Sequence, residues 1–334
     1  MAIVVVTGAA GSVGSRLVPL LAFAGHEVVA VDRSDVPDGT WPSGVRAVVA
    51  DVRSTSEWMP TRADAVVHLA LPLDGSAADT TRAVLGAARG AAAVAFVHRS
   101  SALVYGAWDN NQVPLTEDAP LRPNPEFAPA ADLAEAERLI AAWESLHVGV
   151  AVAVLRPTTV LAPGDDQLTT KLFGPDAYRR AEPPVVQFLA VDDLVGAIIH
   201  CLDQRLDGVF NVAPNGWIGG SEVLALGGGF RLPVPDAIRS VASRVAFKVG
   251  LSARPPSTQP WLRHPWVIAS DRLVASGWKP SSTNEEAVVA ARRGAWWREM
   301  SPNRRQEVTL AASGATLAAG VAAAVGIARR SRRR

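Results

Sequence analysis

Short apolar runs alternate with longer segments of helical periodicity through the first half of the chain. The runs predict strands at residues 3–6, 27–31, 45–50, 65–70, 92–98 and 148–155. Apolar residues recur at helical spacing in the segments 12–23, 77–89 and 132–145. Because the runs are apolar at nearly every position, they suit strands buried on both faces. The alternation predicts a doubly wound parallel α/β sheet.

A glycine-rich turn, Thr7-Gly8-Ala9-Ala10-Gly11-Ser12-Val13-Gly14, joins the first strand to the first helix. Its glycines allow close approach of a ligand, and the free N–H groups at the helix N-terminus favour a pyrophosphate. Asp32 ends the second strand, where a carboxylate can bond a ribose 2′-hydroxyl. Strand, turn, helix, strand and acid together predict a dinucleotide-binding unit.

The charged residues near this unit indicate whether it binds NAD or NADP. Asp32 favours NAD, because its charge would repel the 2′-phosphate of NADP, and Arg33 offsets that preference in part. Asp51 follows the third strand and is either an acid near the adenine or a solvated loop acid. His68 is either a neighbour of the cofactor or a core histidine. NAD is therefore the expected cofactor.

Composition excludes several other classes of function. A formal net charge of +1 over 334 residues gives no general attraction to nucleic acid. The single cysteine, Cys201, lies in an apolar helical stretch, which predicts a buried structural thiol and no internal disulfide. Six scattered histidines predict no metal site. The expected partners are a dinucleotide and a small-molecule substrate or a protein.

The alternation of apolar runs and helical segments becomes less regular after about residue 160, which predicts two parts of the chain with different functions. Residues 1–160 are expected to form the Rossmann-type dinucleotide-binding domain, with 187–214 returning to it. Asp192 and Asp193, in the returning segment, are expected to cap a helix. The rest of residues 161–300 would form a smaller α/β substrate-binding part. Within it, residues 233–251 predict an amphipathic basic helix, either with a solvated face or at a membrane surface.

The last part of the chain, 301–334, is an alanine-rich tail with a basic end. Residues 308–328 carry no charge over 21 positions, and five arginines lie among the final six residues. A helix of that length would span roughly 31 Å, about one hydrocarbon core. A membrane tether and a docked or flexible tail both stay open. No signal peptide is expected before the first strand, so a cytoplasmic protein, with or without a membrane tether, is the expectation.

Taken in order, these pieces resemble the extended short-chain dehydrogenase/reductases, the NAD-dependent epimerase/dehydratase group. The matching segments are the glycine turn, Asp32, Asp51-Val52, His68-Leu69-Ala70, Ser100-Ser101-Ala102-Leu103-Val104-Tyr105-Gly106, Leu155-Arg156-Pro157, Val191-Asp192-Asp193, Phe210-Asn211-Val212 and Gly277-Trp278-Lys279-Pro280. The resemblance assigns roles in cofactor binding to the following residues: Gly8, Ala10, Gly11, Ser12, Val13, Gly14, Asp32, Arg33, Asp51, Val52, Leu69 and Ala70. It also implies that Ser101 bonds the reacting oxygen of a substrate.

The resemblance fails at the family's catalytic Tyr-x-x-x-Lys dyad, which moves a proton to or from the substrate oxygen. The ungapped match places Pro129 at the tyrosine and Leu133 at the lysine, and a shift by two residues gives Phe127 and Ala131. The only tyrosines, Tyr105 and Tyr178, have no lysine four residues on.

Two functions follow from this loss. The chain is expected to be a cofactor-binding scaffold, sensor or subunit without standard catalysis. The alternative is an active NAD-dependent epimerase, dehydratase or oxidoreductase on a nucleotide sugar or another hydroxyl substrate. Its proton would then be carried by Tyr105, Glu126 or Asp132.

Overall fold

Seven parallel strands form the central sheet of the computed structural model, which describes residues 1–35, 40–54, 57–164, 168–178, 185–226 and 255–291. The strands of this sheet are β1 (Ile3–Thr7), β2 (Glu27–Asp32), β3 (Val45–Val49), β4 (Ala65–His68), β5 (Ala95–Arg99), β6 (Ala151–Pro157) and β10 (Gly208–Val212). Their order across the sheet is β10-β6-β5-β4-β1-β2-β3. This arrangement confirms the predicted doubly wound parallel sheet.

The strand order reverses between β1 and β4, because β1 pairs with β2 on one side and with β4 on the other. Ligands of open parallel sheets bind outside the carboxyl ends of strands at such a point. β1, β4 and β5 are buried along almost their whole length, as their apolar runs predict. β3 forms the edge of the sheet and is mostly exposed.

Helices cover both faces of the sheet. The α-helices are α1 (Gly14–Phe23), α2 (Ala77–Gly90), α3 (Ala128–Leu146), α4 (Leu168–Phe173), α5 (Val191–Gln204), α6 (Gly220–Leu226), α7 (Asp271–Ala275) and α8 (Asn284–Ala291). Short 3-10 turns occupy Ala102–Tyr105, Pro175–Ala177, Pro256–Thr258 and Pro260–Leu262. α1 and α5 share one apolar core with the sheet, and α2 and α3 share another on the opposite face.

Two small sheets lie beyond β6. β7 (Thr159–Leu161) runs parallel to β9 (Phe188–Ala190), and β8 (Val185–Val186) runs antiparallel to β11 (Ile218–Gly219). The loop at 107–125 is held to the C-terminal part of the chain by Leu115. The N–H of Leu115 donates to the carbonyl of Val267, and its own carbonyl accepts the N–H of Ala269. No residue of this loop lines the large cleft described below.

Helix boundaries differ from the predicted ones where the local chemistry is unusual. α3 begins at Ala128, four residues before the predicted start, and Pro129 lies in its first turn, where a missing N–H costs nothing. The prediction that Asp192 and Asp193 cap α5 is wrong. Asp193 instead accepts hydrogen bonds from Ser281 and Ser282, so it ties the helix to a distant loop.

Cys201 lies in the core of α5 and is buried, as the sequence predicts. Burial raises the pKa of its thiol to about 12, because the thiolate would lose its hydration. The predicted basic helix at 233–251 and the predicted tail at 301–334 lie outside the described residues. Among the helices that the structure describes, none has the length and apolar character needed to cross a bilayer.

Candidate functional site

A cleft of about 320 Å³ opens at the carboxyl edge of the sheet, where the strand order reverses between β1 and β4. The predicted cofactor residues that line it are Gly8, Gly11, Ser12, Val13, Gly14, Asp32, Arg33, Asp51, Val52, Leu69 and Ala70. The remaining predicted residue, Ala10, contributes its backbone N–H, which donates to Asp32 Oδ2 at 3.0 Å. The fold therefore brings the predicted set to one place.

The glycine turn is shaped so that side chains are excluded from two of its positions. A Cβ on Gly8, whose φ is +74°, would lie 2.7 Å from the backbone nitrogen of Ala70. A Cβ on Gly14 would lie 2.5 Å from the carbonyl oxygens of Gly8 and Ala9. The turn thus needs glycine for its own close packing, and it brings the first turn of α1 to the cleft wall, where N–H groups favour a pyrophosphate.

Asp32 lies at the end of β2 and closes the other side of the turn. Its Oδ2 accepts the N–H of Ala10, and its Oδ1 accepts the N–H of Ser34 at 2.9 Å. A carboxylate has about four acceptor positions, so capacity remains for the hydroxyls of a ribose. These bonds hold the carboxylate at the cleft, the position that a dinucleotide-binding site requires.

The far end of the cleft carries a second carboxylate, Asp51, beside two arginines. Arg53 forms a two-pronged ion pair with Asp51, with nitrogen–oxygen distances of 3.0 and 2.7 Å. The Arg53 side-chain hydrogen bond, with help from the Arg53 backbone N–H, lowers the pKa of Asp51 to about 2. Asp51 is thus a paired anion in the cleft wall rather than an isolated loop acid, and Arg33 lies nearby.

Ser101 lies outside this cleft, in a smaller pocket of about 20 Å³. Its Oγ accepts the backbone N–H of Leu103 at 3.3 Å, so its hydroxyl hydrogen stays available for another acceptor. The described residues of the pocket wall are Leu71, Arg99, Ser100, Ser101, Leu103, Pro157, Thr158, Thr159, Val160, Thr169, Phe173 and Trp266. The pocket therefore combines hydroxyl donors, one cation and two aromatic rings.

Arg99 connects the two cavities, and the sequence interpretation above did not single it out. It is the last residue of β5, it is 8% exposed, and it lines both the large cleft and the smaller pocket. Leu71 and Thr169 also line both. Its position at the carboxyl end of a central strand, directly before Ser100-Ser101, is the signal that could have identified it.

The positions of the missing dyad lie in a different environment. Leu133 is fully buried in an apolar cluster that includes Leu103 and Phe127. Pro129 is half-buried near the start of α3, and neither residue lines the cleft or the smaller pocket. The residue that the ungapped match places at the lysine position thus lies in the core.

The three residues that the sequence suggested as substitute proton carriers do not line either cavity. Tyr105 is buried, and its hydroxyl donates to Asn211 Oδ1 at 2.7 Å while it accepts from Arg156. Burial also raises the pKa of Tyr105, which weakens it as an acid. Asp132 accepts the N–H groups of Ala77 and Ala78 and so caps α2. Glu126 is exposed on the segment before α3.

A buried polar network supports the serine pair from behind. Ser100 Oγ donates to Glu137 on α3, and Glu137 forms a two-pronged ion pair with Arg156 of β6, closest at 2.6 Å. Arg156 continues the network to Tyr105. The network links α3, β6 and the turn that carries Ser101, so it fixes that turn relative to the sheet.

Two buried histidines lie under the site, on β4 and β5. His68 shares a hydrogen bond of 2.7 Å with Thr7 Oγ1 and one of 3.3 Å with Thr81 Oγ1. Its ring centroid lies 5.2 Å from that of His98. Burial lowers the pKa of His68 to about 4. Burial is also the main cause that lowers the pKa of His98, and the nearby His68 and Arg99 lower it further. His68 is thus a core histidine, the second of the two alternatives that the sequence left open.

The acidic, histidine and cysteine side chains of the described ranges are scattered rather than clustered. No group of three or more His, Cys, Asp or Glu side chains converges there in a way that could hold an ion.

The parallel sheet, the glycine turn and the acid at the end of β2 define a Rossmann-type protein with a cleft suited to a dinucleotide. Residues 4–213 match the NAD dependent epimerase/dehydratase family, and the chain belongs to that family. This result confirms the family predicted from the sequence.

Several characterised proteins are similar to the chain. A protein from Streptomyces sp named 3-diazoavenalumate denitrifying reductase is 32% identical over 239 residues, 63% of this chain and 75% of that protein. A crystal structure of UDP-galactose 4-epimerase is 25% identical and covers 86% of this chain and 97% of its own, with a TM-score of 0.61. The UDP-glucose 4-epimerase of Thermus thermophilus, solved with NAD, is 22% identical and covers 88% and 100%, with a TM-score of 0.65.

Proposed function

We propose that this chain is a reductase that binds NAD in the large cleft and acts on a substrate held beside Ser101. The junction of the two cavities carries the proposal, because Leu71, Arg99 and Thr169 lie in both walls. A dinucleotide extending along the cleft from Asp32 would end at this junction. The reacting ring would then face the pocket that holds Ser101.

Each part of the cleft has a role in holding such a dinucleotide. The N-terminal turn of α1 would bind the pyrophosphate, and Asp32 would accept a ribose hydroxyl. Asp51 and Val52 would flank the adenine, while Leu69 and Ala70 would line the nicotinamide side. NAD, when bound, supplies or accepts a hydride. The charge of Asp32 disfavours the 2′-phosphate of NADP, which makes NAD the proposed cofactor.

The missing dyad restricts the class of substrate. Reduction of a ketone needs a proton on its oxygen, and general acid catalysis of that step contributes about 10²–10⁴-fold. A diazo group has no such oxygen, and the Streptomyces relative is named as a reductase of a diazo compound. We therefore expect the substrate to be an electrophile that accepts a hydride and takes from water any proton that its reduction needs. Ser101 and Arg99 would orient the polar atoms of this substrate.

A second function, a cofactor-binding scaffold, sensor or subunit without turnover, is favoured by a different observation. Leu133 replaces the lysine and is fully buried in apolar surroundings, so no cation remains at that position to hold the nicotinamide ribose. Both functions need NAD binding, and only the first needs turnover.

One experiment separates the two functions. NAD binding is measured by calorimetry, and NADH oxidation is followed with diazo-substituted aromatic acids and with nucleotide sugars. If the chain is a reductase, the diazo compounds should support oxidation of NADH with kcat in the common range of roughly 1–10³ s⁻¹. The nucleotide sugars should support little or no oxidation of NADH.

Two variants locate the activity. Asp32→Asn should weaken NAD by about tenfold or more, because a charge-assisted hydrogen bond is lost, whereas the exposed Asp35→Asn should not. Ser101→Ala should slow turnover, and the exposed Ser145→Ala should not. If the protein binds NAD but no compound supports oxidation of NADH, the reductase is contradicted and the scaffold function remains. If the protein does not bind NAD, both functions are contradicted.

A further inference from the structure

The strand order locates the half of the large cleft in which the second ribose of a dinucleotide would lie. The ends of β2 and β3 form the adenine half, and the glycine turn after β1 comes next along the edge of the sheet. The segment after β4 lies on the other side of that turn and leads into α2. With the dinucleotide placed as proposed, its nicotinamide ribose therefore lies beside the start of α2. The hydroxyls of that ribose need hydrogen-bond partners there.

The helix α3, which would supply such a partner by resemblance to the family, is not part of the cleft wall. The ungapped match predicts Leu133 at the lysine position, and Leu133 is fully buried in an apolar cluster. None of the residues of α3, all of which the structure describes, lines the cleft. A partner for the second ribose is therefore expected from another element.

Two hydroxyl side chains at the start of α2, those of Ser76 and Thr80, line this half of the cleft. Thr80 Oγ1 donates to the backbone carbonyl of Ser76 at 2.6 Å. Ser76 Oγ donates to Asp74 Oδ1 at 2.5 Å, and this hydrogen bond is the largest cause that lowers the pKa of Asp74. Both hydroxyl hydrogens are thus used within the protein.

The oxygen of Thr80 keeps its capacity to accept hydrogen bonds. A hydroxyl has one donor and two acceptor positions, so the bond to Ser76 leaves the acceptor positions of Thr80 for a ligand. Thr80 is only 6% exposed, and its β-branched side chain is held by the bond to its own helix, so little freedom is lost on binding. A fixed acceptor in the cleft wall is the complement of a ribose hydroxyl, which can donate.

We infer that Thr80 binds the second ribose of the dinucleotide by accepting a hydrogen bond from one of its hydroxyls. Ser76 orients Thr80, because its carbonyl receives the hydrogen of the Thr80 hydroxyl. This inference rests on the proposed function for the presence of NAD in the cleft. It assigns to a neutral acceptor on α2 the contact that the family resemblance predicts for a lysine on α3.

Thr169 of α4 is the competing partner for the same ribose. It lines both the large cleft and the smaller pocket, so it lies near the proposed position of the nicotinamide. Thr80 and Thr169 come from different elements of the chain. Removing each hydroxyl in turn therefore shows which of the two holds the ribose.

The test uses two probes of equal charge, ADP-ribose and the β-methyl ester of ADP, of which only ADP-ribose carries the second ribose. Calorimetry measures their affinities, and that of NAD, for the full-length protein. The variants are Thr80→Val, which removes the hydroxyl and keeps the shape, Thr80→Ser, which keeps the hydroxyl, and Thr169→Val. Thr116→Val, at an exposed position, is the matched control. Thermal unfolding shows whether each variant is folded.

The Thr80→Val change leaves no backbone group without its partner. The Ser76 carbonyl also accepts the backbone N–H of Thr80 at 2.9 Å, and valine keeps that N–H. A change in affinity therefore reports the lost hydroxyl rather than a broken helix turn.

We expect the wild type and Thr116→Val to bind ADP-ribose more tightly than the methyl ester. Thr80→Val should lose about three- to tenfold of this preference, as expected for one hydrogen bond, and should bind NAD more weakly by the same factor. Its affinity for the methyl ester should stay unchanged, and Thr80→Ser should keep most of the preference.

Equal affinities of the wild type for the two probes overturn the inference, even if Thr80→Val does not fold. An unchanged preference in Thr80→Val overturns it as well, and so does an equal loss of affinity for both probes. A preference that is lost in Thr169→Val but kept in Thr80→Val assigns the ribose contact to α4 and also overturns the inference.

The same measurements separate this inference from the proposed function. If the wild type binds NAD and Thr80→Val keeps the full preference, the inference fails and the dinucleotide cleft remains. If neither NAD nor the two probes bind, the proposed function fails and the inference fails with it. No turnover is measured, so the result does not depend on whether the protein is a reductase or a scaffold.

Discussion

The glycine turn and the start of α3 are both parts of the site that the family resemblance assigns, but they differ in what fixes them. At the turn, backbone atoms surround Gly8 and Gly14 so closely that a Cβ would collide with them. At α3, the ungapped match predicts Leu133 and Pro129 at the dyad positions, and the helix that carries them packs against α2 as part of the fold.

The difference shows that cofactor binding and proton transfer depend on the sequence in different ways. The dinucleotide cleft is made by backbone N–H groups, glycines and strand ends, so it persists as long as the fold persists. Proton transfer depends on two individual side chains, and a helix can lose both while its packing remains intact. A cleft suited to NAD therefore says little about the chemistry beside it.

The largest expected effect comes from closing the glycine turn. Gly14→Ala would place a Cβ 2.5 Å from two backbone oxygens, and backbone atoms cannot move aside as a flexible side chain does. We expect a loss of about 3 kcal/mol or more in the free energy of unfolding and no detectable NAD binding. Chemical denaturation and calorimetry measure these two quantities.

The matched control for this change is Gly86→Ala in α2, where nothing lies within 4 Å of the added Cβ. Because alanine favours a helix over glycine, this variant should gain up to about 1 kcal/mol. Normal NAD binding by Gly14→Ala would show that the turn tolerates a side chain, and the contrast between the two regions would fail.

Restoring the dyad should destabilise the protein instead of reviving the family's mechanism. Pro129→Tyr with Leu133→Lys would place an ammonium in a fully buried apolar cluster. An unpaired buried charge costs about 3–5 kcal/mol, so the melting temperature should fall sharply. Ala142→Lys, at an exposed position of the same helix, should leave it nearly unchanged.

A stable double variant that oxidises hydroxyl substrates would contradict this expectation. It would mean that the helix still presents Leu133 to the cleft and that only the side chains separate this chain from its relatives.

The third effect, which appears only at acid pH, concerns the histidine pair, in which His68 contacts the end of β1 through Thr7. The pKa of His68 falls from 6.5 to about 4 on folding, so the unfolded chain binds more protons between these values. The free energy of unfolding should therefore decrease as the pH falls from about 6.5 to 4, by about 3 kcal/mol from this residue.

Urea denaturation at a series of pH values measures the slope. His68→Gln should flatten it over this window, whereas His264→Gln, at a half-buried position on the C-terminal segment, should preserve it. An equal slope in His68→Gln and the wild type would assign the acid sensitivity to other groups.

Much of the fold follows from local patterns. Apolar runs predict six of the seven strands of the main sheet, because most of its parallel strands are buried on both faces; the exposed edge strand β3 is the exception. The glycine turn predicts the cleft because its requirements lie within a few residues. Eleven of the twelve predicted cofactor residues line one cavity, although their contact with a cofactor stays a prediction. The tail at 308–334 and its membrane contact also stay predictions.

Other parts of the site depend on contacts distant in sequence and could not be deduced from local patterns. Arg99 is set against Thr169 and Trp266 by the packing of β5 on residues far along the chain. Tyr105 and Asp132 carry titratable groups that suggest catalysis, but folding gives them structural partners. Residue type alone cannot show which groups the fold satisfies internally.

The last strand of the main sheet joins late. β10 pairs with β6 across an intervening stretch of chain, and Asn211 of β10 receives the hydroxyl of Tyr105. At about 5–20 residues per second, synthesis of residues 158–212 takes roughly 3–11 s. Until then, β6 is an open sheet edge on the nascent chain, with its neighbour Tyr105 lacking an acceptor. The pairing of β10 with β6 therefore closes an edge that faulty strand pairing could otherwise use.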